Sequence, residues 1–150
     1  MIIDESDAEF DSVRRALDGG YVGTSHKNCK GVFRGVANAC LLARRGRNGE
    51  GRLLHTGEDL ANIGPVALLQ DLAVQAALGI ESVERNGHHY FRGLSFLPET
   101  VQRQVVDLHP DLYRWHPRGY AALAPSDGRI QIGSAINAPF GLALIPNLGT

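Results

Sequence analysis

MIIDESDAEFDSVRRALDGGYVGTSHKNCKG, Met1 to Gly31, is the stretch whose reading decides the fold. Ile2 and Ile3 are β-branched and apolar, and Asp4 and Glu5 follow where the apolar run stops, so the segment reads as a strand ending in an acidic pair. Ser6, with Glu9 three residues later, has the form of a capping box, and Phe10, Val13, Ala16 and Leu17 share one face at helical spacing. Gly19 and Gly20 stop that helix. Tyr21, Val22 and Thr24 make a second extended run ending at Ser25-His26-Lys27, and Asn28, Cys29, Lys30 and Gly31 open another helix. As parallel neighbours in one sheet, the two strands bring Asp4, Glu5 and Lys27 to the carboxyl edge, where α/β proteins place their ligands.

The same grammar continues downstream. A helix after Gly31 is expected to turn Val32 or Phe33, Val36, Ala37, Cys40 and Leu41 inward, and the basic, glycine-containing Arg44–Arg52 segment reads as its solvated end. Arg52 to Thr56 makes a third strand, followed at once by Glu58 and Asp59. Pro65 opens a helix with Val66, Leu69, Leu72, Ala73 and Ala76 on its apolar face, and Gly79 ends it. Ile80 to Val83 is a fourth strand, trailed by Glu84, Arg85, His88 and His89. Strand ends at Asp4, Lys27, Thr56 and Glu84 lie about two dozen to thirty residues apart with one helix in each interval, the βα pattern of a parallel sheet or (β/α)-barrel. Beyond Phe91 the pattern changes to a helix over Pro98–Leu108, an aromatic stretch around Tyr113, Trp115 and Tyr120, and a half-buried strand at Arg129–Ile132. The expected organisation is four βα units over residues 1–90 and a C-terminal helix with a short hairpin arm over 91–150.

Composition narrows the function classes. A chain of 150 residues suits one domain, and a net charge of −1 gives no electrostatic case for nucleic acid or an anionic membrane surface. No apolar run approaches the roughly 20 residues of a membrane span, and the N-terminus lacks a basic-then-apolar leader, so a cytoplasmic location is expected. Cys29 and Cys40 match neither a zinc site nor a disulfide framework and read as buried free thiols. Lys30, one turn past Lys27, is expected on the surface, His26 and His55 as structural histidines, and at most one of the adjacent His88 and His89 can face a site.

Ile3-Asp4-Glu5-Ser6, followed 23 residues after Asp4 by Lys27 in SHKNCKG, resembles the stretch of the enolase superfamily in which a strand ending in an acidic pair precedes one carrying a lysine. The likeness is to its mandelate racemase and muconate-lactonizing branch. HTGEDLANIGPVALLQDLA and IESVERNGHHYF are similar to the last two barrel units of sugar-acid-dehydratase-like members, and the Asp127–Leu142 segment resembles that branch's C-terminal finish. The resemblance implies the C-terminal half of a (β/α)8 barrel and Mg²⁺-dependent abstraction of an α-proton from a hydroxy or sugar acid, by dehydration or racemisation. It casts Asp4 as a metal ligand, Lys27 and Glu84 as catalytic acid/base groups, and Glu5, Glu58, Asp59 and His88 as neighbouring or substrate-binding groups.

A whole barrel has eight strands and about 250 residues. By this resemblance the chain begins at what would be the fifth strand, so a Mg²⁺ site is expected only where another chain or segment completes it. The expected partners are a small-molecule carboxylate and either a second copy or a chain supplying the missing half. The rivals are a non-catalytic half-barrel remnant or assembly module, and a small complete α/β binding domain with its ligand at the strand carboxyl ends.

Overall fold

Three short strands lie parallel in the computed structural model, which describes residues 1–58, 62–85 and 87–142. β1 (Gly23–His26) pairs with β2 (Leu54–Glu58), and β2 with β3 (Val83–Glu84), in the spatial order β1-β2-β3. The register sets Thr24 opposite His55, His26 opposite Gly57 and Glu58 opposite Glu84. Ahead of β1, a parallel bridge joins Ile3 to Thr24, with Ile3 N donating to Gly23 O and Ser25 N to Ile3 O, both at 3.0 Å. Sheet order follows chain order. Helices α1 (Ser12–Asp18), α2 (Val32–Arg47) and α3 (Val66–Ala77) fill the intervals, so the architecture is mixed α/β around a parallel sheet.

Two compact units result, one of residues 1–59 with 74–84 and one of 60–73 with 85–150. This partition differs from a cut at residue 90 because α3 contributes residues to both units.

In the first unit, side-chain alternation divides the sheet into two unlike faces. Ile3, Thr24, His26, His55 and Gly57 share the face that the helices cover. There Ile3, Val13, Leu17 and Leu42 form the apolar cluster, Gly35 of α2 lies over the His26 ring, and Gln75 of α3 lies over Gly57. Asp4, Ser25, Lys27, Thr56 and Glu58 belong to the other face, which is polar toward its carboxyl edge and carries Leu54 at the start of β2.

The second unit holds the larger apolar core, from Leu68, Leu69 and Leu72 of α3 through Leu94, Val105, Leu112, Tyr113, Ala121 and Ala135. Its elements are α4 (Gly87–Tyr90), α5 (Glu99–Leu108), an antiparallel hairpin of β4 (Tyr113–His116) and β5 (Tyr120–Leu123), and α6 (Gly133–Ile136). Buried Gln102 joins α5 to the hairpin, donating to Leu97 O and accepting from Ala121 N, each at 2.8 Å.

Several local expectations are corrected, each by a polar requirement. No helix starts at Ser6, and α1 begins at Ser12 with Phe10 exposed, because Asp7 is drawn into the interior and the chain reaches α1 through turns. The Asp7 carboxylate accepts from Thr24 Oγ1 at 3.1 Å and from Asn38 Nδ2 at 3.0 Å. That bond, with the Gly35–His26 approach, rotates α2. Gly35, Asn38 and Leu42 are its buried residues, while Val32, Phe33, Val36 and Cys40 face outward. Both Cys40 and Cys29 are therefore exposed, not buried. Arg129–Ile132 forms no strand: a bridge from Ser126 to Arg129 closes a turn at Asp127 and Gly128, and the hairpin lies earlier, at 113–123. The strands β1, β2 and β3 begin later than read, so Glu58 and Glu84 end strands instead of following them.

Candidate functional site

Lys27 leaves β1 at its carboxyl end, on the face opposite the helices, and its side chain is only 6% exposed. An ammonium so enclosed must place its three N–H groups on protein acceptors. It finds Asp4 Oδ2 at 2.9 Å, Glu58 Oε2 at 3.0 Å and Glu5 Oε1 at 3.2 Å. The three carboxylates come from the two parallel segments that flank β1: the Ile3 bridge segment supplies Asp4 and Glu5, and the end of β2 supplies Glu58. Parallel alignment brings these strand ends to one edge, so the cluster follows from the fold.

A second lysine completes it. After Lys27 the chain makes a single 3₁₀ turn, Asn28–Lys30, closed by Lys30 N on Lys27 O at 2.9 Å. In such a turn residues three apart eclipse, so the Lys30 side chain returns to the same edge. Its Nζ donates to Asp4 O, Asp4 Oδ1 and Ser25 O, each at 2.8 Å. Asp4 therefore sits between two ammonium groups, one on each carboxylate oxygen.

The electrostatics follow from this packing. Burial pushes the Asp4 carboxyl up, but hydrogen bonds and charge from Lys30 and Lys27 outweigh it and hold the group at about 2. Burial alone would lower Lys27, yet the bonds from Asp4, Glu58 and Glu5 raise it above the ordinary lysine range. Lys27 is thus held as an ammonium that keeps its proton more tightly than an ordinary lysine, and it can act as a base only when the surrounding carboxylates are otherwise engaged.

Beneath the cluster, on the helix-covered face, His26 and His55 meet edge to face with ring centroids 6.1 Å apart. His26 Nε2 pairs with Asn28 Oδ1 at 3.0 Å, whereas both ring nitrogens of His55 are buried with no hydrogen-bond partner among the described residues. Burial, reinforced by the neighbouring His26, holds His55 neutral down to about 4.

Of the residues singled out in the sequence, Asp4, Glu5, Lys27 and Glu58 converge. Glu84 is exposed and stands in register with Glu58. Asp59 lies outside the described residues; His88 lies in α4, its side chain likewise outside them. Lys30 was expected on the surface and is instead a member of the cluster, its side chain 12% exposed. Its signal was the three-residue spacing from Lys27, which has meaning only if the intervening turn is 3₁₀.

Comparison with protein-family models, with curated proteins and with solved structures finds no match to this chain. Fold and site together define an α/β chain with a lysine–carboxylate cluster at the carboxyl edge of a parallel sheet. The Mg²⁺ implied by the resemblance does not fit the residues present. Both Asp4 oxygens already accept from lysines, and no group of three or more His, Cys, Asp or Glu side chains among the described residues is placed to hold a metal ion. Nor is any described helix long and apolar enough to cross a membrane.

Proposed function

We propose that this chain is half of a (β/α)8-type barrel of enolase-superfamily-like descent, from the mandelate racemase and muconate-lactonizing branch, and that Lys27 is its proton-transfer group. The substrate class is a small hydroxy or sugar acid with an acidic proton beside a carboxylate. One observation carries this reading: the Lys27 ammonium sits within 3.2 Å of carboxylates from the neighbouring segment and strand, at the carboxyl edge where barrel enzymes act. The in-order parallel arrangement of Ile3, β1, β2 and β3, with helices on one face, supports the barrel ancestry. Any Mg²⁺ chemistry would need ligands from another chain or segment. The test is exchange of the α-proton of a panel of hydroxy and sugar acids into D2O, followed by proton NMR. Exchange that disappears in Lys27→Met supports the reading, and exchange unaffected by Lys27→Met removes Lys27 from it.

A second reading, a non-catalytic half-barrel that serves assembly, is favoured by a different observation. All three N–H groups of each lysine are taken up by protein oxygens. Absence of exchange for every acid tested, with the fold intact, selects this reading.

A further inference from the structure

The misfit between the cluster and a divalent metal has a specific structural origin in Lys30. Three hard oxygen donors, the Asp4 carbonyl, Asp4 Oδ1 and the Ser25 carbonyl, converge within 2.8 Å of one nitrogen. Two backbone carbonyls and a carboxylate are the donor types that hard cations take. A carbonyl oxygen has no other way to use a positive charge than to accept from it or coordinate it. We propose that these three oxygens form a cation site whose resident is the Lys30 ammonium, a cation tethered by its own side chain, so that these oxygens need no metal to be satisfied.

The charge balance supports the assignment. Asp4, Glu5 and Glu58 contribute three negative charges, against which Lys27 supplies one positive charge through its own three bonds. Without Lys30, Asp4 Oδ1 and the Ser25 carbonyl would lose the ammonium they share, and the Asp4 carbonyl would keep only its bond from Asp7 N at 2.8 Å. The Lys30 side chain is 12% exposed, so water cannot replace the ammonium without a rearrangement. The spacing also selects among metals. Oxygens 2.8 Å from the centre are wide of the roughly 2.0–2.1 Å that Mg²⁺ demands and nearer the roughly 2.3–2.6 Å of Ca²⁺, which accepts irregular oxygen sets completed by water. Truncating Lys30 therefore uncovers a site that takes Ca²⁺ in preference to Mg²⁺. This inference rests on the bonds of Lys30 and is independent of any ancestry or activity.

The experiment is thermal unfolding of the wild-type chain, Lys30→Ala and the double variant Asp4→Asn/Lys30→Ala, titrated with CaCl2 or MgCl2 against choline chloride of equal ionic strength. Expected are a Tm of the wild type that neither metal moves, a saturable rise for Lys30→Ala that is larger with CaCl2, and no such rise in the double variant. A saturable rise in the wild type, or a folded Lys30→Ala indifferent to both metals, overturns the proposal. Should Lys30→Ala not fold, nitrogen-detected NMR of the lysine ammonium groups decides on the wild type, with Lys30→Arg assigning the signal. A slowly exchanging Lys30 ammonium that persists in excess CaCl2 supports the proposal; one that exchanges freely with water, or is displaced by CaCl2, overturns it. Neither readout involves substrate proton exchange, so its failure and that of the Lys27 reading are separable.

Discussion

A lysine held by three carboxylates has exchanged its water for them, and the size of that exchange differs among its partners. Asp4 and Glu58 are mostly enclosed at 28% and 18% side-chain exposure, whereas Glu5 is 85% exposed and its bond competes with solvent. Lys27→Met leaves the enclosed carboxylates facing one another and is expected to cost about 3 kcal/mol in urea unfolding, while Glu5→Gln costs less than about 1 kcal/mol. Equal losses would mean that the three bonds are alike. His55 predicts a pH dependence. Its folded value of about 4 lies below the ordinary 6.5, so between these the unfolded chain binds the extra proton. Stability is therefore full above about 6.5 and falls as pH drops towards 4, by up to about 3 kcal/mol. Urea midpoints across that range should show the slope, and His55→Phe should flatten it.

At the scale of elements, α2 shows where hydrophobic pattern loses to polar contact. The apolar residues Val32, Phe33, Val36 and Cys40 stand at helical spacing, yet they face outward because Asn38 must reach Asp7 and Gly35 must admit the His26 ring. Neither requirement is visible along the chain, since each depends on a residue brought from another segment. By contrast, Val13 and Leu17 of α1 and Leu69 and Leu72 of α3 point inward as read, because nothing polar opposes them. Gly35→Ala tests which effect rules. Alanine gains about 1 kcal/mol of helix propensity over glycine, but its Cβ would stand 2.5 Å from His26 Cε1 and 3.0 Å from Leu78 Cδ1. The expected net change is destabilisation by about 1–3 kcal/mol, measured by chemical denaturation. A rise in stability would show that the His26 ring yields.

For the whole molecule, the βα alternation was legible because short apolar runs, glycine stops and helical periodicity recur at nearly even intervals. The convergence of Asp4, Glu5, Lys27 and Glu58 was legible for the same reason: strand ends in a parallel sheet share an edge. What escaped was whatever a turn decides, as at Lys30, and the assignment of α3 to both compact units. The half-barrel reading predicts a mass above that of one chain by light scattering, unchanged by MgCl2; a strict monomer would remove completion by a second copy. The two unlike faces of the parallel sheet bear on how the chain finds its register. Pairing β1 one residue out of step would send Ser25 and Lys27 against the helices and turn Thr24 and His26 away. Such a register would have to bury an ammonium against the apolar cluster of Ile3, Val13, Leu17 and Leu42. The charge at the strand end thus sets the slipped register above the observed one in free energy, and so helps the sheet to specify a single pairing.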